Sequence, residues 1–122
     1  EEIYVAELDL RVITSVAIDR GQLQAASVPR HPSVIRDLAL IVGDSLPAAT
    51  VRETIESAAP DTLVNIREFD RYRGKGVPDG CVSLALRLTF QAAERTLTDI
   101  EVQSAIDNVV MALKKRHDAT LR

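Results

Sequence analysis

Cysteine occurs once in the 122 residues, at position 81, so no internal disulfide can form and a reducing compartment is the natural fit. No apolar run approaches the ~18–20 residues needed to cross a bilayer, and the start of the chain has no charged-then-apolar signal pattern. Positive charge is not in excess: 15 Lys and Arg stand against 18 Asp and Glu, and the formal charge of −3 argues against a general polyanion binder. Zinc-ligand spacing, a nucleophile elbow and a dinucleotide fingerprint are all missing, so no metal or catalytic site is visible in the sequence. His31 and His117 lie far apart without ligand-spaced companions and read as surface histidines. Cys81 has no histidine paired with it in sequence and reads as a packed or partly exposed thiol. What remains, 46% hydrophobic and 27% charged, is an ordinary globular composition of about one domain's length. A chain of this size buries roughly two-thirds of its unfolded surface and needs no staples. It starts at Glu1 rather than methionine, which predicts a piece of a longer protein.

Residues 1–30 and 31–122 differ in character. In the first stretch Ile3-Tyr4-Val5-Ala6-Glu7-Leu8 reads as a strand. From Arg11 to Ile18 neither the helical nor the strand period wins; the β-branched residues favour strand, and a short helix stays open. Asp19-Arg20-Gly21 reads as a turn, and Val28-Pro29-Arg30-His31-Pro32 as extended chain, because proline excludes helix before it. From residue 36 the pattern sharpens. Leu38-Ala39-Leu40-Ile41-Val42 suits a central strand, followed by a turn at Gly43-Asp44-Ser45. Pro47 occupies a favoured first-turn position, Ala48, Val51, Ile55 and Ala58/Ala59 follow at helical spacing, and Pro60 ends the helix. A second helix opens with a capping box, Thr98-Asp99-Ile100-Glu101. Val102, Ala105, Ile106, Val109 and Leu113 form its apolar stripe, and Lys114, Lys115 and Arg116 complement the dipole at its end.

Between the helices, Val82, Leu84, Leu86, Leu88 and Phe90 alternate with Ser83, Ala85, Arg87, Thr89 and Gln91, a half-buried strand. In the strand before it, Val64 and Ile66 set one phase and Phe69 falls out of step. A bulge near Arg67-Glu68 would turn Phe69 inward and send Asp70 and Tyr72 together to the open face. Residues 74–80 form a glycine-rich hairpin loop. Ala119-Thr120-Leu121-Arg122 reads as a short edge strand with Leu121 inward and Arg122 outward. The order strand–helix–strand–strand–helix–strand predicts an α+β sandwich: one four-stranded antiparallel sheet with two helices on one face and a strand-containing leader before it.

Recognition then falls to the open face. Asp70 and Tyr72, two residues apart, sit about 7 Å from each other on one side. Ser83 and Arg87 return on that side, and Arg122 joins from the last strand. A ring to stack on a base, a carboxylate to accept from two adjacent donors and an arginine for phosphate or a base edge suit a nucleic-acid base, guanine in particular. The competing reading is a solvated strand edge, which on pattern alone is the commoner outcome. Lys75 in the loop, with neighbouring Arg71 and Arg73, is placed to touch RNA phosphates. The Gly74-Lys75-Gly76 run lacks the full phosphate-loop motif and precedes a strand rather than a helix.

Five segments in order carry a resemblance: Pro32-Ser33-Val34-Ile35-Arg36-Asp37-Leu38-Ala39-Leu40, Phe69-Asp70-Arg71-Tyr72-Arg73-Gly74-Lys75-Gly76-Val77-Pro78, Ser83-Leu84-Ala85-Leu86-Arg87-Leu88, Arg95-Thr96-Leu97-Thr98-Asp99-Ile100-Glu101 and Ala119-Thr120-Leu121-Arg122. Together they resemble the ferredoxin-fold anticodon-binding domain that closes the bacterial phenylalanyl-tRNA synthetase β chain. The resemblance spans about residues 30–122, with His31 departing where the family often has an aromatic residue. Residues 4–10 are similar to the end of the catalytic-like module just upstream. The resemblance implies a ferredoxin-like βαββαβ fold over residues 31–122, a leader over 1–30, and binding of the anticodon stem-loop of phenylalanine tRNA. It gives Tyr72 the role of stacking on the first anticodon base, a guanine, and Asp70 that of hydrogen-bonding it, with Ser83 and Arg122 assisting. It further implies a cytoplasmic enzyme that uses ATP and magnesium on a separate α subunit within a heterotetramer; this stretch itself holds no cofactor. The alternative is an amino-acid-binding regulatory domain of the same fold, for which Gly43 after the first strand is the only hint. An acyl-phosphate hydrolase would want an anion-cradling loop there, which Val42-Gly43-Asp44-Ser45 suits poorly.

Overall fold

The computed structural model describes residues 3–17 and 30–122, which form in chain order α1 (Leu10–Ala17), β1 (Val34–Gly43), α2 (Ala48–Ala58), β2 (Leu63–Tyr72), β3 (Cys81–Phe90), α3 (Asp99–His117) and β4 (Thr120–Leu121). The four strands make one sheet in the order β2-β3-β1-β4, every neighbouring pair antiparallel. Leu38, Leu40 and Val42 of β1 and the even-numbered residues of β3 point to one side. There they share a single core with Val51 and Ile55 of α2 and with Val102, Ala105, Ile106, Val109 and Leu113 of α3. Burying each large aliphatic or aromatic side chain contributes about 1.5–3 kcal/mol, several times what helix propensity supplies per residue. The two helices are therefore held by that face. The odd-numbered residues of β1 and β3 line the other side.

The helix ends follow the sequence closely. Pro47 occupies the N-cap position of α2 with φ −64° and ψ 138°, one position earlier than the first turn, and Ala59 before Pro60 is extended at ψ 154°. The capping box of α3 is present in both directions: the Thr98 hydroxyl accepts from the Glu101 N–H, and the Glu101 carboxylate accepts from the Thr98 N–H. The chain leaves α3 through Asp118 in the left-handed conformation, φ 52°.

Other expectations are corrected. Residues 3–9 form no strand, and the four-stranded sheet does not include them. The helix of the leader begins where Asp9 caps it, its Oδ1 accepting from the Arg11 N–H at 2.9 Å. The turn expected at 19–21 and the extended chain at 28–29 lie outside the described residues. In β2 the register slips twice, between Leu63 and Asn65 and between Glu68 and Asp70. The first slip leaves Val64 exposed and gives its inward place, opposite Phe90, to Leu63. The second is the expected bulge, but it falls at Phe69 itself and turns that ring outward, 48% exposed, rather than into the core. His117 is not a surface residue either: half-buried, it sets Nε2 2.7 Å from the hydroxyl of buried Thr54, joining α3 to α2. His31 too is only partly exposed. Leu121 pairs with Leu40 on the core side, yet at the sheet edge it remains largely exposed.

Candidate nucleic-acid interface

Strand register lays the open face out in rows. Tyr72, Ser83, Ile41 and Thr120 line up across all four strands. Asp70, Ala85 and Ala39 form the next row, which Arg122 joins as its N–H donates to the Ala39 carbonyl at 2.9 Å. Arg67, Arg87 and Asp37 form a third. Tyr72 and Arg122 start three strand spacings apart, about 14 Å at ~4.8 Å each. Their side chains nevertheless meet, the guanidinium carbon 4.9 Å from the ring centroid. They therefore arch over the two central strands. This accounts for Ser83, which faces the open side yet is only 4% exposed. Its hydroxyl has no hydrogen-bond partner among the described residues, nor has the Asp70 carboxylate an ion-pair partner there. The result is a shallow dish with small residues on its floor (Ala39, Ala85, Ser83), an unpaired carboxylate on one wall and a ring with its cation above.

The ring is positioned by the hairpin loop. Gly74, at φ +146°, lies against it so closely that a Cβ there would stand 2.6 Å from the tyrosine oxygen. That loop is in turn tied to the β1–α2 turn: the Asp44 N–H donates to the Gly80 carbonyl at 2.9 Å, and Arg73 approaches the Asp44 carboxylate at 3.5 Å. Asp44 so engaged closes the turn after β1.

The other basic residues fall outside the dish. Arg71 is opposite Leu84, hence on the helix side, and donates to the Asp44 carbonyl at 3.4 Å. Arg73 is engaged by Asp44, and Lys75 is exposed on the loop. Arg87 is on the open face, but its Nε and Nη2 both donate to the Asp37 carboxylate at 2.8 Å. Its guanidinium holds the Asp37 carboxyl below the usual carboxylate range. Sequence reasoning missed Asp37, Gly74 and the outward Phe69. Asp37 was detectable as the odd-numbered, open-face residue of β1 that the pairing sets against Arg87. A hollow of about 690 Å³ lies elsewhere, on the helix side between the end of α2 and the start of α3, where its Arg95 and Glu101 neutralise each other. Among the described residues no three His, Cys, Asp or Glu side chains converge to hold a metal, and no helix is long and apolar enough to cross a membrane.

Residues 29–122 match the ferredoxin-fold anticodon-binding domain family. The chain belongs to that family. Among curated proteins it is similar to the phenylalanine–tRNA ligase beta subunit of Synechococcus sp. (strain JA-3-3Ab), 39% identical over the whole chain and 15% of that protein's length. The corresponding subunit of Geobacillus kaustophilus is 37% identical over the whole chain and 15% of its own length. That of Moorella thermoacetica is 46% identical over 78% of this chain and 12% of the relative. The chain thus spans about 15% or less of the length of these relatives. The matched residues take in all four strands of the sheet and both helices packed on it, so the dish lies wholly inside the family domain.

Proposed function

We propose that this chain is the anticodon-reading part of a phenylalanine–tRNA ligase beta subunit, and that Tyr72, Asp70, Ser83 and Arg122 hold the first anticodon base. The observation that carries this is the contact between Tyr72 and Arg122 above Ser83, with an unpaired Asp70 alongside. A guanine offers a ring N–H and an exocyclic amine side by side, and a free carboxylate accepts both. The Tyr72–Arg122 contact, worth about 0.5–1 kcal/mol at an exposed site, is weak enough to give way to base stacking at about 1–3 kcal/mol. Arg122 is then released towards the phosphate beside the stacked base. Arg71, Arg73, Lys75 and Arg87 add secondary contacts at most, since three of them already have partners within the fold.

On this reading residues 31–122 are the RNA-binding module and residues 1–30 belong to the unit before it. The domain binds without catalysing. Aminoacylation, with ATP and magnesium, belongs to the rest of a cytoplasmic ligase that includes an α subunit. Titration with a phenylalanine-tRNA anticodon hairpin tests the site. Tyr72→Ala weakens binding by about 1–3 kcal/mol, and a hairpin with another first anticodon base binds less tightly than the guanine one. Equal affinity for the two hairpins, or indifference to Tyr72→Ala, removes the proposed site.

A further inference from the structure

The open face carries a second pairing of ring and guanidinium. Phe69, turned out by the bulge, lies with its ring centroid 5.2 Å from the Arg87 guanidinium carbon, close to the 4.9 Å between Tyr72 and Arg122. Both rings come from β2; Arg87 comes from β3, and Arg122 directly follows β4. Resting on the RNA reading above, we infer that Phe69, Arg87 and Arg67 form a second nucleotide platform, which takes a base next in the strand to the one at Tyr72.

The division of labour follows from the partners. Arg87 is fixed by two bonds to Asp37, so its charge is spent and its guanidinium serves as an oriented plane beside the ring. Arg67, opposite Arg87 in register, has no ion-pair partner among the described residues and is the cation available to a phosphate. A half-exposed ring offers every base the same π-face, so this platform accepts a nucleotide without reading its identity. Tyr72 is three steps along the strand from Phe69, about 10 Å. Stacked bases in a helix are ~3.4 Å apart, so bases on the two platforms must be splayed, as they are in single-stranded loops read by four-stranded sheets. The occupant is thus a loop nucleotide and not a duplex.

Two tyrosines and two phenylalanines are the only aromatic residues besides histidine in the chain, so ring signals in NMR spectra can be assigned with single variants. Phe90, fully buried, is the internal reference. The chain is titrated at low salt with guanosine 5′-monophosphate and with a trinucleotide that has guanosine first. The mononucleotide shifts the Tyr72 ring alone. The trinucleotide shifts both Tyr72 and Phe69. Phe69→Leu weakens trinucleotide binding by about five-fold or more, the low end of base stacking, and leaves mononucleotide binding unchanged. Movement of Tyr72 without Phe69, or trinucleotide affinity indifferent to Phe69→Leu, overturns the second platform and leaves the Tyr72 site standing. Stillness of both rings removes the Tyr72 site and the platform with it.

Discussion

Gly74 shows how one backbone position sets the geometry of the dish. Its φ of +146° is a conformation that side chains rarely adopt, and the space beside it is filled by the Tyr72 hydroxyl. Alanine there meets two separate penalties: backbone strain of about 1–3 kcal/mol and a clash whose nearest atom is the tyrosine oxygen. Gly74→Ala is therefore expected to lower stability by at least the strain, measured as a fall in the urea midpoint with unchanged m. Adding Tyr72→Phe removes the nearest atom and recovers part of the loss, so the two changes are non-additive. Additive effects would show that the ring is not held against the loop. Ser83 teaches a related lesson. Its burial comes from two long side chains meeting above it, not from its place in the alternation, and no pattern in its own strand foretells that.

At the scale of elements, the start of α3 is a linked set of charges. The Glu101 carboxylate accepts from Arg95, from the Thr98 N–H and from the Thr98 hydroxyl. Arg95 first, then the two Thr98 groups, lower its pKa from the usual 4.5 to about 2. A carboxyl depressed in the folded state stabilises fully above 4.5, and its contribution is lost as pH falls towards 2. Arg95→Met removes the largest cause. Its melting temperature is expected to lie below the parent's at pH 7, with the gap closing between pH 4.5 and 2. A gap of the same size at pH 7 and pH 2 would assign Arg95 to packing instead. Elements such as α3 and β3 were legible because each carries redundant signals: a two-way cap with an apolar stripe, or five alternating large residues. β2 was legible only in part. As an edge strand it is held by one ladder, so nothing opposes a register slip, and two slips shift Val64 and Phe69 off the simple period. The leader's run of apolar residues, Ile3-Tyr4-Val5-Ala6, mimics a strand, while Asp9 supplied the helix cap that was overlooked. The common face of Asp70, Tyr72, Ser83 and Arg122 was readable from alternation. Which cations were already paired follows only once the strand register is fixed, because Asp37 and Asp44 are far away in sequence from Arg87 and Arg73.

For the whole molecule, charge decides how tightly this domain grips RNA by itself. The formal charge is −3, and with Arg87 held by the Asp37 carboxylate few cations on the sheet's open face are left to release counterions from a phosphate backbone. Those are Arg67 and Arg122. Each phosphate neutralised on a single strand contributes a slope of about −0.7 to log K against log salt. Two such contacts give roughly −1.4, well short of the steep dependence of proteins that bind by electrostatics. Affinity for the anticodon hairpin is therefore expected to fall about seven-fold between roughly 50 and 200 mM salt. Arg67→Gln should flatten the slope by about 0.7, whereas changing the first anticodon base should shift the line without tilting it. A slope several times steeper would mean that RNA is held on another surface, because the dish and its neighbouring platform lack the charge to produce it. On the proposed reading the dish discriminates between bases while supplying little electrostatic attraction of its own.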